Sequence, residues 1–132
     1  MAHEDIALLW RVIERWNAGD EDLTLAVLDP EIELQTPFSS LAGRPYRGIA
    51  GFREWRAEIR EQFETWRLDV DEISRLGGDR LLVKGAAHVR GHGSGIELDQ
   101  PATTLVDVRA GRVLRVRIFL SEEEARTAAR RE

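Results

Sequence analysis

The chain begins with apolar residues at helical spacing. Over residues 4–17 an apolar residue recurs at every third or fourth position, which predicts an amphipathic helix with one buried stripe. Gly19 follows this stripe, and a glycine just past the last turn is typical of a helix end. A second, short helix is predicted from about Asp22 to Leu28, because the residue before a proline, here Asp29 before Pro30, disfavours helix.

The spacing then changes from helical periodicity to alternation. Ile32, Leu34 and Thr36 alternate with polar residues, which predicts a strand with one buried face. A loop is predicted after this strand. From about Ile49 to Trp66 the apolar residues return to a spacing of three and four, which predicts a third and longer helix.

The second half of the chain is predicted to be almost entirely β-structure. Alternating residues are separated by glycine-containing turns, among them the segment RAGR, which favours a hairpin. One predicted strand begins at Leu68, and the others run from Leu81 to Gly91, from Ile96 to Arg109 and from Val113 to Leu120. Ser121 with Glu124 three residues later forms a capping box, which predicts a short C-terminal helix.

This order of elements predicts a single α+β domain over residues 1–132. We expect a cone-shaped α+β barrel in which a curved mixed/antiparallel sheet wraps on the three helices of the N-terminal half, with a short C-terminal helix. A long helix laid across the concave face of such a sheet leaves a conical cavity.

Composition and charge limit the partners and the compartment. Hydrophobic residues make up 42% of the chain and charged residues 33%, which is typical of a soluble globular domain. The net charge of -5 opposes nucleic acid or an anionic membrane as a partner. No cysteine is present, which excludes disulfides and thiolate metal sites. The acidic N-terminus does not resemble a signal peptide, and no stretch is apolar enough to span a membrane, so we expect a cytoplasmic protein. We also expect no cofactor.

A long stretch in the middle of the chain lacks acidic residues. The chain has 24 aspartates and glutamates, yet none lies between Glu33 and Glu54. Because a buried carboxylate without a partner is costly, an apolar pocket avoids acidic residues. If the chain folds as this cone, the stretch forms one wall of the cavity, and the alternative is an ordinary loop.

Three segments resemble the nuclear-transport-factor-2-like superfamily. They are ERWNAGDEDL at the end of the first helix, RGIAGFREW at the start of the third, and AGRVLRVRIFLSEEEA near the C-terminus. Their order over nearly the whole chain is most similar to the SnoaL-like branch. The resemblance implies the cone-shaped fold and a superfamily that includes ketosteroid isomerases, limonene-type epoxide hydrolases, polyketide cyclases and proteins that only bind or dimerise. The fold alone does not decide among these functions.

The resemblance also implies that the catalytic positions of two of these enzyme classes are vacant. The isomerase positions correspond to Thr36, Val12 and Thr104, and the epoxide hydrolase positions lie near Ala87, Gly85 and Ile118. None of these side chains carries a carboxylate, a phenol or a guanidinium. They cannot supply the acid and base groups that those reactions need.

The same resemblance predicts a largely apolar pocket for a small apolar or aromatic molecule. The expected ligand-binding residues are Val12, Trp16, Leu34, Thr36, Phe38, Tyr46, Trp55, Ala87, Thr104, Val116 and Ile118. Val83 and Gly85 are expected in the same wall, with the small residues Gly85 and Ala87 leaving space for the ligand. Alternatively, Trp16 and Trp55 are ordinary core residues, and Tyr46 packs on the surface of the loop at the cavity mouth.

The histidines and arginines of the β-rich half are not expected to form a metal site. His88 and His92 would be about 13 Å apart on a strand and cannot share an ion. His88 is expected to face outward. Arg115 and Arg117 lie on the strand face opposite the apolar residues, so we expect them on the outer face, where two copies would form a homodimer through the sheet. The alternative is that they bind an anionic group in the cavity.

Three functions remain open at this point. The first is a small-molecule binding protein with an apolar conical pocket. The second is a lyase, isomerase or polyketide-cyclase-type enzyme that uses a group such as His88, Tyr46 or Arg117. The third is a homodimeric scaffold whose cavity is closed by packing.

Overall fold

The computed structural model describes residues 2–37 and 44–131. The helices are α1 (Ala2–Asn17), α2 (Glu21–Ala26), α3 (Gly48–Gln62) and α4 (Glu122–Arg130), and the strands are β1 (Leu28–Gln35), β2 (Tyr46–Arg47), β3 (Phe63–Gly77), β4 (Arg80–Gly91), β5 (Glu97–Arg109) and β6 (Arg112–Phe119). No helix within the described residues is long and apolar enough to cross a membrane.

The strands form one curved, unclosed sheet. Its order is β2-β1-β6-β5-β4-β3. The neighbouring strands are antiparallel except for β1 and β6, which are parallel. The predicted α+β class with a mixed sheet is therefore confirmed, and the short strand β2 lies where the sequence predicts a loop.

The main core lies between the concave face of the sheet and the helices of the N-terminal half. Leu9 of α1 and Phe52 of α3 are buried there against Ile32 and Leu34 of β1. Leu9 belongs to the predicted apolar stripe of α1. The stripe has helical spacing because one face of the helix is buried. Burying a leucine or phenylalanine side chain contributes about 1.5–3 kcal/mol of transfer free energy.

A second apolar cluster lies on the outer face of the sheet. Leu82 of β4 and Leu105 of β5 are register partners, and both are fully buried with Ala125 of α4. The N-cap residue Ser121 accepts a hydrogen bond of 3.1 Å from the backbone N–H of Glu124, as the capping box predicts. The C-terminal helix therefore covers part of the outer face within one chain.

The third helix ends earlier than predicted. α3 ends at Gln62, and the next residue, Phe63, begins β3. The predicted end at Trp66 is wrong because Trp66 also belongs to an alternating series with Leu68 and Val70, and pairing with β4 selects the strand. Trp66 is thereby placed on the sheet wall of the cone.

The short second helix also ends earlier than predicted. α2 stops at Ala26, and Leu28 is already the first residue of β1. The proline that was expected to end the helix, Pro30, is an exposed residue of β1. Leu28 is buried in the main core, and this nonlocal packing outweighs its local helical spacing.

Candidate functional site

A cavity of about 110 Å³ lies between α1, α3 and the concave face of the sheet. The described residues that line it are Leu9, Val12, Ile13, Trp16, Thr24, Leu28, Leu34, Phe52, Trp55, Trp66, Leu68, Val83, Thr104, Val106, Val113, Val116 and Ile118. None of these described lining residues has an ionisable side chain. Apolar cavities of about 150 Å³ stay dry and bind benzene, so the volume suits a single ring after small side-chain adjustments.

The sheet wall follows from strict alternation along the strands. Thr104 and Val106 of β5 line the cavity, while Leu105 between them points to the outer cluster. The register sets Thr104 beside Val83 of β4 and Ile118 of β6. These side chains share one face because neighbouring strand positions in register project to the same side.

Four aromatic side chains form one wall of the cavity. The Trp16 ring stacks on Trp55 with centroids 5.1 Å apart, and Phe52 and Trp66 meet Trp16 edge to face at 5.8 and 5.6 Å. The indole Nε1 of Trp16 is buried and has no hydrogen-bond partner among the described residues. A buried donor without an acceptor costs about 1–3 kcal/mol, so the aromatic wall holds one unused donor.

Arg56 of α3 contacts this aromatic wall. Its guanidinium carbon lies 4.0 Å from the centroid of the Trp16 ring, and Arg56 is only 9% exposed. Within residues 2–37 and 44–131, its Nε has no hydrogen-bond partner and no ion pair joins it to a carboxylate. Burial lowers the pKa of Arg56, and repulsion from Arg60 lowers it further, while attraction to Glu21 raises it. Arginine nevertheless stays charged at neutral pH.

A tyrosine and a carboxylate form a pair between β2 and α3. The Tyr46 hydroxyl donates a hydrogen bond to Oε2 of Glu58. This bond, together with burial, raises the pKa of Tyr46 to about 12. Tyr46 packs closely on α3, since a Cβ at Gly51 would lie 3.1 Å from the Tyr46 carbonyl carbon. The phenol is therefore a neutral donor at ordinary pH, and neither member of the pair lines the cavity.

Comparison with known families decides the affiliation of the chain. The profile of the SnoaL-like domain family matches residues 10–116. The chain belongs to the SnoaL-like domain family. No curated protein matches the chain significantly.

Solved structures similar to this SnoaL-like chain share its fold at low sequence identity. TerC, co-crystallised with polyporic acid, has a TM-score of 0.79 at 20% identity, with 94% of this chain and 96% of that chain covered. A candidate SnoaL-like polyketide cyclase from a Jannaschia species has a TM-score of 0.76 at 20% identity, covering 96% and 92%. A Catenulispora acidiphila protein with a ketosteroid isomerase-like fold, in complex with trimethylamine, has a TM-score of 0.74 at 13% identity, covering 87% and 85%. These likenesses confirm the predicted superfamily fold.

The structure brings most of the predicted pocket residues of the SnoaL-like chain together. Those that line the cavity are Val12, Trp16, Leu34, Trp55, Val83, Thr104, Val116 and Ile118. Of the positions that correspond to isomerase or epoxide hydrolase groups, Val12, Thr104 and Ile118 face the cavity without an ionisable side chain. That any of these residues binds a ligand stays a prediction.

Several other predicted residues lie outside the cavity lining. Thr36 is buried with 6% exposure, just after the end of β1, and Tyr46 is bonded to Glu58. Ala87 shares the face of Val83 but lies farther along β4, opposite Gln100 of the exposed part of β5. Phe38 lies outside the described residues.

Gly85 does not leave space for a ligand, contrary to the prediction. A Cβ at this position would lie 2.2 Å from the carbonyl oxygen of Asp69 and 2.9 Å from Cα of Val70. Gly85 pairs with Val70 beside an irregularity in β3. The space over Gly85 is therefore occupied by the backbone of the neighbouring strand.

The predicted outward residues are found on the outer face. His88 hydrogen bonds to Asp99, its register partner on β5. Arg115 and Arg117 alternate with the cavity residue Val116, and neither lines the cavity. Arg117 is only 4% exposed within the single chain, so its burial does not require a second copy. Among the described residues no group of three or more histidines, aspartates and glutamates is placed to hold a metal.

Sequence reasoning missed one charged residue and several apolar ones. The apolar lining residues that were not predicted are Leu9, Ile13, Leu28, Phe52, Trp66, Leu68, Val106 and Val113. Arg56 was missed although it directly follows Trp55 and stands four residues after Phe52. A charged residue within the buried stripe of a helix is a signal that can find such a position.

The tyrosine pair gives a direct prediction. Tyr46 is the only tyrosine of the chain, so phenolate absorbance near 295 nm reports on it alone. We expect the folded protein to titrate with a midpoint near 12 and the unfolded chain near the ordinary value of about 10. Glu58→Gln should lower the folded midpoint toward 10, because the amide carries no negative charge.

The same shift predicts how stability depends on pH. The pKa of Tyr46 is higher in the folded state, so its contribution to stability is complete below about pH 10 and is lost as the pH rises toward 12. A folded-state midpoint near 10 in the unmodified protein would show that Tyr46 and Glu58 are not bonded in solution.

Proposed function

We propose that this SnoaL-like chain binds a small apolar or aromatic molecule in the cavity and lacks the catalytic set of the isomerases and epoxide hydrolases. The observation that carries the proposal is the cavity itself, whose described lining is apolar and has no ionisable group. Ligand sites commonly combine apolar walls with a few polar groups. Here the lining includes two threonines, Thr104 and Thr24, and the Thr24 hydroxyl donates a hydrogen bond to the Asp20 carbonyl oxygen.

The aromatic wall supports a ring-shaped ligand. Trp16, Trp55 and Trp66 line the cavity, and aromatic rings favour offset-stacked or edge-to-face contacts with another ring. TerC, a protein of this fold, was co-crystallised with polyporic acid, and we take this as support for a ring-containing ligand. The cavity volume of about 110 Å³ limits the enclosed part of the ligand to about one ring.

Filling the cavity tests this proposal. Val116→Phe places a ring among the lining residues and should reduce affinity for a neutral ring compound at least about tenfold. The measurement is quenching of tryptophan fluorescence and the shift in melting temperature on adding toluene, indole, steroids, terpenoids or aromatic polyketides. Overpacking costs about 1–3 kcal/mol, so the variant should remain folded.

Leu98→Phe is the matched control for this experiment. Leu98 is 60% exposed and lies outside the lining, so the variant should bind like the parent. Absence of binding by the parent to every compound would contradict the proposal and favour the scaffold function with a cavity closed by packing.

The second candidate function is a polyketide-cyclase-type enzyme, and the Tyr46–Glu58 pair is the observation that favours it. Tyrosine and glutamate side chains both serve as general acids or bases in enzymes. Both groups of this pair are partly buried, and both lie outside the cavity lining. Turnover of an aromatic polyketide that is lost in Glu58→Gln and Tyr46→Phe, with ligand affinity unchanged, would establish this function over simple binding.

We also propose that two copies of the chain pair in the cytoplasm through the outer face of the sheet. This proposal rests on the family resemblance and on the polar outer face that the sequence predicts for the last strand. α4 covers only the part of this face around Leu82 and Leu105. The strand segment from Glu97 to Pro101 remains exposed in the single chain. Sedimentation equilibrium at micromolar concentration tests this proposal, and a monomer at all concentrations would contradict it.

A further inference from the structure

Arg56 is a buried cation that the binding of a neutral ring does not use. We propose that Arg56 makes the cavity selective for a ring-bearing ligand with an anionic oxygen, such as a carboxylate, phenolate or enolate, over its neutral counterpart. This inference rests on the proposed binding of a small molecule in the cavity.

The first step is that no carboxylate of the described protein pairs directly with Arg56. Arg56 is buried with 9% of its surface exposed, its Nε is buried without a hydrogen-bond partner, and no described carboxylate forms an ion pair with it. Glu21, the acidic side chain that acts on it, is itself in an ion pair with Arg60 at 3.8 Å. An uncompensated buried charge is strongly destabilising, so an anionic ligand would offset a penalty already present in the folded protein.

The second step is that the charge acts on the cavity. Trp16 both lines the cavity and contacts the Arg56 guanidinium at 4.0 Å, so one indole ring connects the two. The described lining contains no ionisable group that would mask this charge. At an effective dielectric constant of about 20, a unit charge roughly 8 Å from an anion changes its affinity about tenfold or more.

The third step is that the same wall holds an unused donor. The Trp16 Nε1–H is buried and has no acceptor among the described residues, so a ligand oxygen reaches it only after a small side-chain adjustment. An anionic oxygen is a stronger acceptor than a neutral one. Both unused groups therefore favour one kind of ligand, a flat ring with a negatively charged oxygen at its edge.

The experiment compares two probes of the same shape, benzoate and benzamide, at pH 7.5. Their affinities for the full chain are measured by isothermal titration calorimetry and tryptophan fluorescence. We expect the parent to bind benzoate about tenfold more tightly than benzamide. Arg56→Gln should weaken benzoate binding about tenfold and leave benzamide binding unchanged, whereas a purely structural role of Arg56 would move both affinities alike.

Two further variants complete the comparison. Arg56→Lys keeps the charge and should keep the preference for benzoate. Arg60→Gln removes a positive charge one turn along α3 whose side chain is 57% exposed, so solvent screens it and the preference should remain. Arg56→Gln is expected to fold, because replacing a buried charge by a neutral side chain removes its desolvation penalty.

The outcomes separate this inference from the proposed function. Equal affinity of the parent for benzoate and benzamide would overturn the proposed selectivity and leave the binding proposal standing. The same follows if Arg60→Gln loses the preference for benzoate as fully as Arg56→Gln does. Failure of the parent to bind either probe or any other ring compound would overturn both.

Discussion

Gly85→Ala is expected to lower the free energy of unfolding by about 3 kcal/mol, at the upper end of the usual range for overpacking. The added Cβ would lie 2.2 Å from the carbonyl oxygen of Asp69 and 2.9 Å from Cα of Val70. Both atoms belong to the backbone of β3, which cannot move without disturbing its pairing with β4. Equilibrium unfolding in urea measures the change.

Gly91→Ala is the control for Gly85→Ala, because it makes the same substitution in the same strand. Its Cβ would meet only the hydroxyl oxygen of Ser94, at 2.9 Å, and this flexible side chain can rotate away. We expect a change within about 1 kcal/mol, since alanine also reduces the entropy of the unfolded chain. If both variants proved equally stable, the close approach of β3 to Gly85 would be wrong.

This result bears on the site as well as on stability. A small residue in the wall of a ligand pocket and a small residue under a neighbouring backbone look identical in a sequence. Gly85 is of the second kind, because it lies under the backbone of β3. A larger side chain there should therefore lower the stability of the fold more than it lowers ligand affinity.

Leu105→Ala is expected to destabilise the protein by about 3 kcal/mol. Leu105 is fully buried on the outer face, where it packs with Leu82 under Ala125 of α4. Truncation removes apolar contacts and leaves a space that the strand and the helix cannot fill. Urea unfolding monitored by circular dichroism gives the change in free energy.

Leu98→Ala in the same strand is the matched control for this prediction. Leu98 is 60% exposed, so its truncation should change stability by less than about 0.5 kcal/mol. A small effect of Leu105→Ala would mean that α4 does not cover the sheet in solution and that the outer face is open over β4 and β5. Ligand affinity should be unchanged in Leu105→Ala, because this side chain points away from the cavity.

Alternation along a strand predicts some of the cavity residues but not the extent of the cavity. Val116 and Ile118 were predicted to share a buried face because they alternate with Arg115 and Arg117, and the structure places them in the cavity wall. Alternation sets the face of a side chain without reference to the rest of the fold. It does not say how far along the strand the cavity extends, and Ala87, on the correct face, lies beyond it.

Two features needed contacts between segments distant in sequence. Trp66 satisfies helical spacing with Phe63 and strand alternation with Leu68, and only pairing with β4 decides between them. Arg56 stands in the buried stripe of α3, which the sequence shows, but its contact with Trp16 of another helix is not contained in any pattern within α3.

The sequence by itself therefore determined the stripe of α1, the cap of α4 and the faces of β6, because each depends on spacing within one segment. It also determined the α+β class and the likeness to SnoaL-like proteins, which depend on the order of segments along the chain. The tertiary structure alone decided where α3 ends, why position 85 is glycine, the cavity volume of about 110 Å³ and the contact of Arg56 with the aromatic wall beside it. These depend on the distance between elements that meet only in the folded chain, and a periodic pattern carries no information about that distance.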